Sequence, residues 1–302
     1  MSNAAGTDLI VALVGPTASG KSALAMDLAQ RFDMEIVNAD AFCLYRGMDI
    51  GTAKPTLSDR ESVAHHLIDT HEVDEAVDVA WYQASARLII DQVRARGAVP
   101  LLTGGSGLYV QAVLDELRFP GTDPAIRGRL EAELEQEGPS EMHRRLQRVD
   151  APAAAQILPT NGRRIVRALE VNEMTGEHFT ATLAQTRPWR SSVRIGWDPG
   201  VEPVDQAITQ RVHDMWRAGF VAEVESLRPG IDQGRTASRA VGYRQILDAL
   251  DIGDDPDTAR EPTIAATRRL ARRQRSWFRR DRSVRWVESP SQISQILGTL
   301  GL

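Results

Sequence analysis

Eight consecutive residues of this 302-residue chain carry its clearest chemistry: Gly15, Pro16, Thr17, Ala18, Ser19, Gly20, Lys21 and Ser22. They fit G-x-x-x-x-G-K-[ST], with an apolar run at 9–14 before them and a helix-like pattern at 22–32 after. Glycines let the backbone curl so that successive N–H groups converge on one phosphate cluster, reinforced by a helix N-terminus. Lys21 adds a mobile positive charge, and the Ser22 hydroxyl is suited to ligating Mg²⁺. The motif is therefore a phosphate-binding loop, for which a nucleotide such as ATP is the usual occupant.

A hydrolase of nucleotides should also carry an apolar strand ending in a magnesium-binding aspartate. The run at 98–103 ends instead in Thr103-Gly104-Gly105-Ser106, whereas the short run at 35–38 leads to Asp40. Strand ends beside the phosphate loop line the ligand crevice of an open parallel sheet, which brings Asp40 and the Gly104–Gly105 turn near the phosphate. Only two lysines occur among 36 basic residues, Lys21 and Lys54, both in glycine-containing turns.

The elements that position these residues read as α/β. Strand-like runs at 9–14, 35–38, 66–69 and 98–103 alternate with helical patterns at 22–32 and 79–96, which implies a parallel sheet with flanking helices. After Phe119-Pro120-Gly121 the pattern turns helical throughout, with helices at 125–137, 140–149 and 163–175 broken by Gly138-Pro139, Pro152 and Pro159. The expected organisation is a core from 1–119 and 191–302, interrupted by an all-helical insertion domain at 120–190. The second core part holds a strand at 194–197, helices at 204–217, 238–250 and 263–280, and a last strand at 284–287.

Composition narrows the class. Hydrophobic residues at 42% and charged residues at 25% suffice for a packed core and exclude a disordered or fibrous chain. The longest apolar run falls far short of a membrane span, and residues 1–7 are small and polar, unlike a secretory signal. The single cysteine, Cys43, excludes an internal disulfide framework. The expectation is a soluble, cytoplasmic protein without a membrane partner. Net charge is −5, yet nine arginines between 267 and 285 face one acid, Asp281. With few local acids to pair with, that stripe on an acidic body is a candidate phosphate-binding surface.

The ordered motifs resemble the bacterial tRNA dimethylallyltransferases, also called tRNA isopentenyltransferases. They are the phosphate loop, Asn38-Ala39-Asp40, the run from Tyr45 through Asp49-Ile50-Gly51-Thr52-Ala53-Lys54-Pro55, His65-His66-Leu67-Ile68-Asp69, Gly104-Gly105-Ser106-Gly107-Leu108-Tyr109, Arg163-Arg164-Ile165-Val166-Arg167 and Val241-Gly242-Tyr243-Arg244-Gln245. The resemblance spans 9–286. It implies a P-loop NTPase-like core and transfer of a dimethylallyl group from dimethylallyl diphosphate to N6 of the adenine at tRNA position 37, with diphosphate leaving and Mg²⁺ as cofactor. It implies Asp40 as general base, Ser106 and Lys21 as further catalytic groups, and Arg211 with the loop residues on the diphosphate. The anticodon stem-loop would meet Asp40, Ala41, Phe42, Cys43, Ser106, the Val241–Gly242–Tyr243–Arg244 run, Arg127, Arg163, Arg164 and Arg167 of the insertion, and Arg268, Arg272, Arg275 and Arg279 of the basic helix. A monomer is expected.

Departures from the family pattern concentrate at the base pocket. Ala41 and Cys43 stand where the family has serine and glutamine, Ala64 replaces a proline, Gly162 an acid, and Ala207 a frequent arginine. A thiol is a poor hydrogen-bonder, so adenine recognition is altered there. His65 and His66 lack further ligands at metal spacing and read as structural. Two other classes remain: a P-loop small-molecule or nucleotide kinase, which leaves the arginine stripe unexplained, and a non-catalytic RNA-binding protein, which leaves Asp40 and the Gly104–Gly105 turn unexplained.

Overall fold

A computed structural model describes residues 9–179, 187–234 and 236–302; the polar stretch at 1–7 lies outside them. The chain forms two compact units, one of 1–115 with 188–302 and one of 116–187. In the first unit the elements run β1 (Ile10–Val14), α1 (Lys21–Arg31), β2 (Met34–Asn38), α2 (Leu57–Ser62), β3 (His65–His66), α3 (Val79–Ala95), β4 (Val99–Gly104) and α4 (Gly107–Leu114). The insertion contributes α5 (Pro124–Val149), α6 (Ala151–Gln156) and α7 (Gly162–Thr175). The core then resumes with β5 (Ser192–Trp197), α8 (Val201–Arg217), α9 (Phe220–Ile231), α10 (Tyr243–Asp251), α11 (Arg260–Arg280), β6 (Val284–Val287) and α12 (Pro290–Thr299).

All six strands are parallel, in the order β3-β2-β4-β1-β5-β6. β1 is buried throughout because both faces of the sheet are covered. Ile10, Ala12 and Val14 pack with Val37, Leu102, Tyr82 and Val110 under α3 and α4. Val11 and Leu13 point the other way, against Leu28, Leu101, Ile195 and Leu297 under α1 and α12. Burying each such branched side chain contributes ~1.5–3 kcal/mol. A rigid central strand thus ends at Gly15, where the phosphate loop begins. Among the described residues no helix is long and apolar enough to cross a membrane.

The structure departs from the sequence expectation at several ends. β3 stops at His66 because Leu67 (φ 60°) and Asp69 (φ 55°) adopt left-handed backbone that cannot continue a ladder. The expected helix at 238–250 is a 3₁₀ turn, Ala237–Arg239, then α10, separated by Gly242 at φ 93°. Helices α2, α4, α6, α9 and α12 were not legible in the spacing. The insertion runs from Glu116 to Arg187 rather than 120–190. The core residues that flank it are joined to each other by an antiparallel bridge between Asp115 and Pro188 and by the Trp189 N–H donating to the Leu114 carbonyl at 2.8 Å. Arg194 of β5 is buried beside this junction, bonded to Asp115 and, at 2.7 Å, to Asp281.

The insertion has its own core of Leu130, Met142, Leu146, Ile157, Ile165 and Leu169. The two helices expected at 125–137 and 140–149 are both present, meeting at a break where Gly138 (φ 78°) leaves helical backbone just before Pro139. Glu170 is fully buried there and accepts bonds from Arg127 and Arg167. These two arginines were expected to grip RNA. They are instead the partners that make a buried carboxylate tolerable, since an unpaired one would cost several kcal/mol.

Candidate active site

The phosphate loop is held open by its neighbours. A Cβ on Gly15 (φ 152°) would lie 2.1 Å from the Trp197 carbonyl oxygen, so only glycine fits where the loop crosses β5. The Trp197 indole N–H donates to Ser19 O at 2.7 Å, and the Thr17 N–H donates to Gln274 Oε1 at 2.8 Å. Ala18 sits at φ 60° with its methyl packed on Val204, Ile208 and Ala271. Strained backbone at a non-glycine residue is retained only where the surroundings enforce it, and it marks functional loops.

Lys21, the first residue of α1, is buried, and its Nζ bonds to the Pro16 carbonyl and, at 3.4 Å, to Ser19 Oγ. Burial, and then the nearby Arg211 guanidinium, push its amine down to about 7, against the pull of Asp40 and Asp198. Arg211 of α8 is itself held below its usual range by burial. No carboxylate pairs with it among the described residues. Lys54 is the opposite case. Its side chain is 1% exposed, and Nζ is saturated by Tyr45 O at 2.8 Å, Asp49 at 2.6 Å and Asp69 at 2.6 Å. One buried cation is thus neutralised, while the buried Lys21 and the half-buried Arg211 beside it are not; the latter pair is suited to receive an anion.

Asp40 stands just past β2. Its backbone N–H donates to Asn38 Oδ1 at 3.0 Å, and its Oδ1 accepts from the Phe42 N–H at 3.0 Å. Asn38 is fixed in turn by bonds to the Asp40 and Leu67 carbonyls, both at 2.9 Å. Burial raises the Asp40 carboxyl above the ordinary range, while the Phe42 amide and Lys21 hold it partly down. A carboxylate oriented this way and more basic than usual is suited to accept a proton.

These groups line one cleft of about 450 Å³ that takes in the loop from Thr17 to Ser22, Asp40, Cys43, Gly105, Arg211 and Gln274. The Gly104–Gly105 turn closes it. A Cβ on Gly104 would meet the Ala39 backbone at 2.3 Å, one on Gly105 the Gln274 amide nitrogen at 2.3 Å, and one on Gly107 the Trp277 ring at 2.1 Å. Ser106 lies one residue beyond the lining; it is half-buried at the start of α4 without a side-chain capping bond. Cys43 is buried in the wall, and burial followed by the charge of Asp40 pushes its thiol far up, so it presents a small neutral surface. Ala41 and Phe42 are half-buried beside it.

The Val241–Gly242–Tyr243–Arg244 run does different work from that expected. Tyr243 is fully buried, and its hydroxyl donates to Glu223, whose carboxylate also accepts the N–H groups of Asp49 (3.1 Å), Ile50 (2.7 Å) and Gly51 (3.2 Å). A Cβ on Gly51 would lie 2.2 Å from Phe220 and 2.4 Å from Tyr243. Tyr243 and Gly242 are therefore supports behind the turn that carries Lys54, out of reach of a macromolecular partner. Val241 is half-buried and Arg244 exposed. Glu223 and Gln274 were missed from the sequence, since their partners are backbone groups far away along the chain.

The basic helix also needs correction. Arg275 bonds Asp198 at 2.5 and 2.7 Å, and Arg279 lies 3.7 Å from the same carboxylate, which is 1% exposed. Arg272 pairs with Asp205 at 3.1 Å, and Arg268 donates to Thr209 Oγ1 at 2.8 Å. The acids absent from α11 come from the β5–α8 turn and from α8. By contrast Arg269, Arg273 and Arg280 are exposed, and no carboxylate pairs with them among the described residues. Offsets of four and eleven residues put them on one helical face. In the insertion, Arg163 and Arg164 are exposed at the start of α7.

Comparison with known proteins gives the family and the fold. The family described as IPP transferase matches residues 43–281. The chain is 57% identical over 288 residues to a tRNA dimethylallyltransferase of Salinispora arenicola, covering 95% of this chain and 83% of the relative. It is 54% identical to one of Kineococcus radiotolerans, covering 93% and 91%. A tRNA isopentenylpyrophosphate transferase of Bacillus halodurans superposes with a TM-score of 0.70 at 35% identity, covering 98% of this chain and 97% of that one. A eukaryotic dimethylallyltransferase solved acting on tRNA shares the fold, with a TM-score of 0.76 at 24% identity over 89% of this chain and 69% of that one.

Glu223 yields a direct test. Glu223→Ala leaves three backbone donors and a buried hydroxyl without their acceptor, so we expect urea unfolding to show a loss of about 2–4 kcal/mol. Calorimetry should show weaker binding of inorganic diphosphate. Glu223→Gln, which keeps one acceptor oxygen, should fall between. Wild-type stability and affinity in Glu223→Ala would refute the supporting role.

Proposed function

The chain belongs to the IPP transferase family, and on that premise we propose that it transfers a dimethylallyl group from dimethylallyl diphosphate to N6 of the adenine at tRNA position 37. The observation that carries this reading is a pair of desolvated, unneutralised cations, Lys21 and Arg211, sharing one cleft with a single basic carboxylate, Asp40. The diphosphate head sits on the loop amides, Lys21 and Arg211. The adenine enters from the Asp40 side, flipped out of its stack.

The reaction then needs three movements of charge. The N6 lone pair forms a bond to the allylic C1; the C1–oxygen bond breaks and its electron pair leaves with diphosphate; the N6 proton passes to Asp40. Lys21, Arg211 and the loop amides face the negative charge that grows on the leaving group, where preorganised donors act most strongly. Asp40 accepts the proton because its carboxylate is oriented by Phe42 and made more basic by burial. Ser106, outside the lining, acts through the position of the Gly104–Gly105 turn.

Among the described residues no group of three or more His, Cys, Asp or Glu could form a metal cage. Mg²⁺ needs none here, since it is commonly held by one or two protein oxygens with substrate phosphates and water. Ser22, exposed in the cleft lining at the start of α1, supplies such an oxygen. When bound, the ion would neutralise charge on the leaving diphosphate. We take the enzyme to act as a cytoplasmic monomer.

tRNA phosphates would meet α11 along Arg269, Arg273 and Arg280 rather than along the paired stripe, with Arg164 as the insertion's candidate. Paired arginines gain less from a phosphate, because binding must break an existing ion pair.

Labelled dimethylallyl diphosphate and an anticodon stem-loop bearing adenosine 37 should give prenylated adenosine without ATP. Lys21→Ala should slow single turnover at least ~10²-fold, and Asp40→Asn by ~10²–10⁴-fold. An ATP requirement, or an Asp40→Asn rate within about twofold of wild type, would contradict the mechanism.

Salt dependence tests the stripe. Alanine at Arg269, Arg273 and Arg280 should flatten the salt slope of tRNA binding by about one unit for each phosphate left without its arginine. Alanine at Arg268 and Arg272 should lower thermal stability more than it changes that slope. The reverse pattern would return RNA binding to the paired stripe.

A further inference from the structure

A second cavity adjoins the cleft. It is a groove of about 790 Å³ between the turn at 49–60 and α8, and it shares Ala53, Lys54, Pro55 and Arg211 with the cleft. Most of its surface is apolar, from Ile50, Pro55, Leu57, Ala207, Met215 and Ala218, and Asp49, Arg60, Asp69 and Asp214 also line it. Leu57 is 77% exposed at its mouth. Asp40, Gly105 and Gln274 line the cleft but not the groove. The two cavities therefore meet at the half-buried Arg211 guanidinium, which no carboxylate pairs with among the described residues, with an apolar trough on one side and the proton acceptor on the other.

We propose that this groove binds the hydrocarbon chain of prenyl diphosphates longer than five carbons, in a non-productive pose that inhibits the transfer. The proposal rests on the reading of the cleft as the diphosphate site. The shared Arg211 anchors the anionic head, and the groove offers apolar surface only to a chain that reaches it. The cleft must already hold a diphosphate, a five-carbon group and an adenine, so a longer chain finds its room in the groove. A chain seated there draws the allylic carbon off from Asp40, so no bond to N6 forms and nothing is transferred. The ligand class is thus an amphiphile with a diphosphate head and an apolar tail of ten or more carbons. Reactions that lengthen five-carbon diphosphates would supply it.

The test compares inorganic diphosphate, geranyl diphosphate and farnesyl diphosphate as inhibitors of the full-length enzyme, with dimethylallyl diphosphate as varied donor. All three should compete with the donor. Farnesyl diphosphate should bind at least tenfold more tightly than geranyl diphosphate, well within what burial of five further carbons allows. Ala207→Trp, which fills the groove, and Leu57→Gln, which makes its mouth polar, should each weaken farnesyl inhibition at least tenfold. Inhibition by inorganic diphosphate and turnover of the five-carbon donor should stay as in wild type. The proposal is overturned if farnesyl diphosphate inhibits no better than inorganic diphosphate, if its chain is transferred to the adenine, or if neither substitution changes its inhibition. Failure of inorganic diphosphate itself to compete would instead remove the assignment of the cleft, and the groove proposal with it.

Discussion

Two positive charges held out of water with too little negative charge to match them are the constraint on which this structure turns. Lys21 loses its proton near 7 rather than 10.5 because the fold desolvates it beside Arg211. A shift of that size corresponds to roughly 5 kcal/mol against the charged form. The unfolded chain holds that proton more tightly, so the cost of Lys21 to the ligand-free fold is greatest below about pH 7 and fades as pH rises from about 7 to 10.5. On the proposed reading, a bound diphosphate would offset this cost by favouring the proton on Lys21. The strain at Ala18, the glycine at 15 and the bonds from Trp197 and Gln274 keep the loop in this unfavourable state until an anion binds.

The rest of the charge distribution is complementary. Where the fold needs a buried ion it neutralises it fully, as at Lys54, at Glu170 and at Arg194. Helix α11 combines both practices within one element. One stripe of arginines ties it to α8 through Asp198 and Asp205, and the stripe beside it is left to solvent. Gln274, one turn away, links the same helix to Thr17 of the phosphate loop. The exposed arginine face and the cleft proposed for the diphosphate are thereby joined through one helix.

Much of this was legible in the sequence because it depends on local spacing. The phosphate loop, its strand and helix, and the carboxylate after β2 follow from residues adjacent in the chain, and the parallel sheet follows from alternating runs. The errors have one physical origin, which is pairing across long separations. Arg275 reads as a free cation until Asp198, 77 residues earlier, is brought beside it. Tyr243 reads as a contact residue until Glu223 and the turn at Asp49–Gly51 are seen to enclose it. The short helix α4 was missed because its apolar residues are buried on several sides and show no single stripe.

The central claim, that an anion belongs between Lys21 and Arg211, can be measured as protons. Calorimetric titration of the enzyme with dimethylallyl diphosphate at pH 8, without acceptor RNA, would be repeated in buffers of different ionisation enthalpy. The ligand's own phosphates, with a last pKa of about 6, are fully ionised there. The account predicts uptake of close to one proton per donor bound by the wild type and none by Lys21→Met. Binding without proton uptake in the wild type, or equal uptake in both proteins, would contradict it.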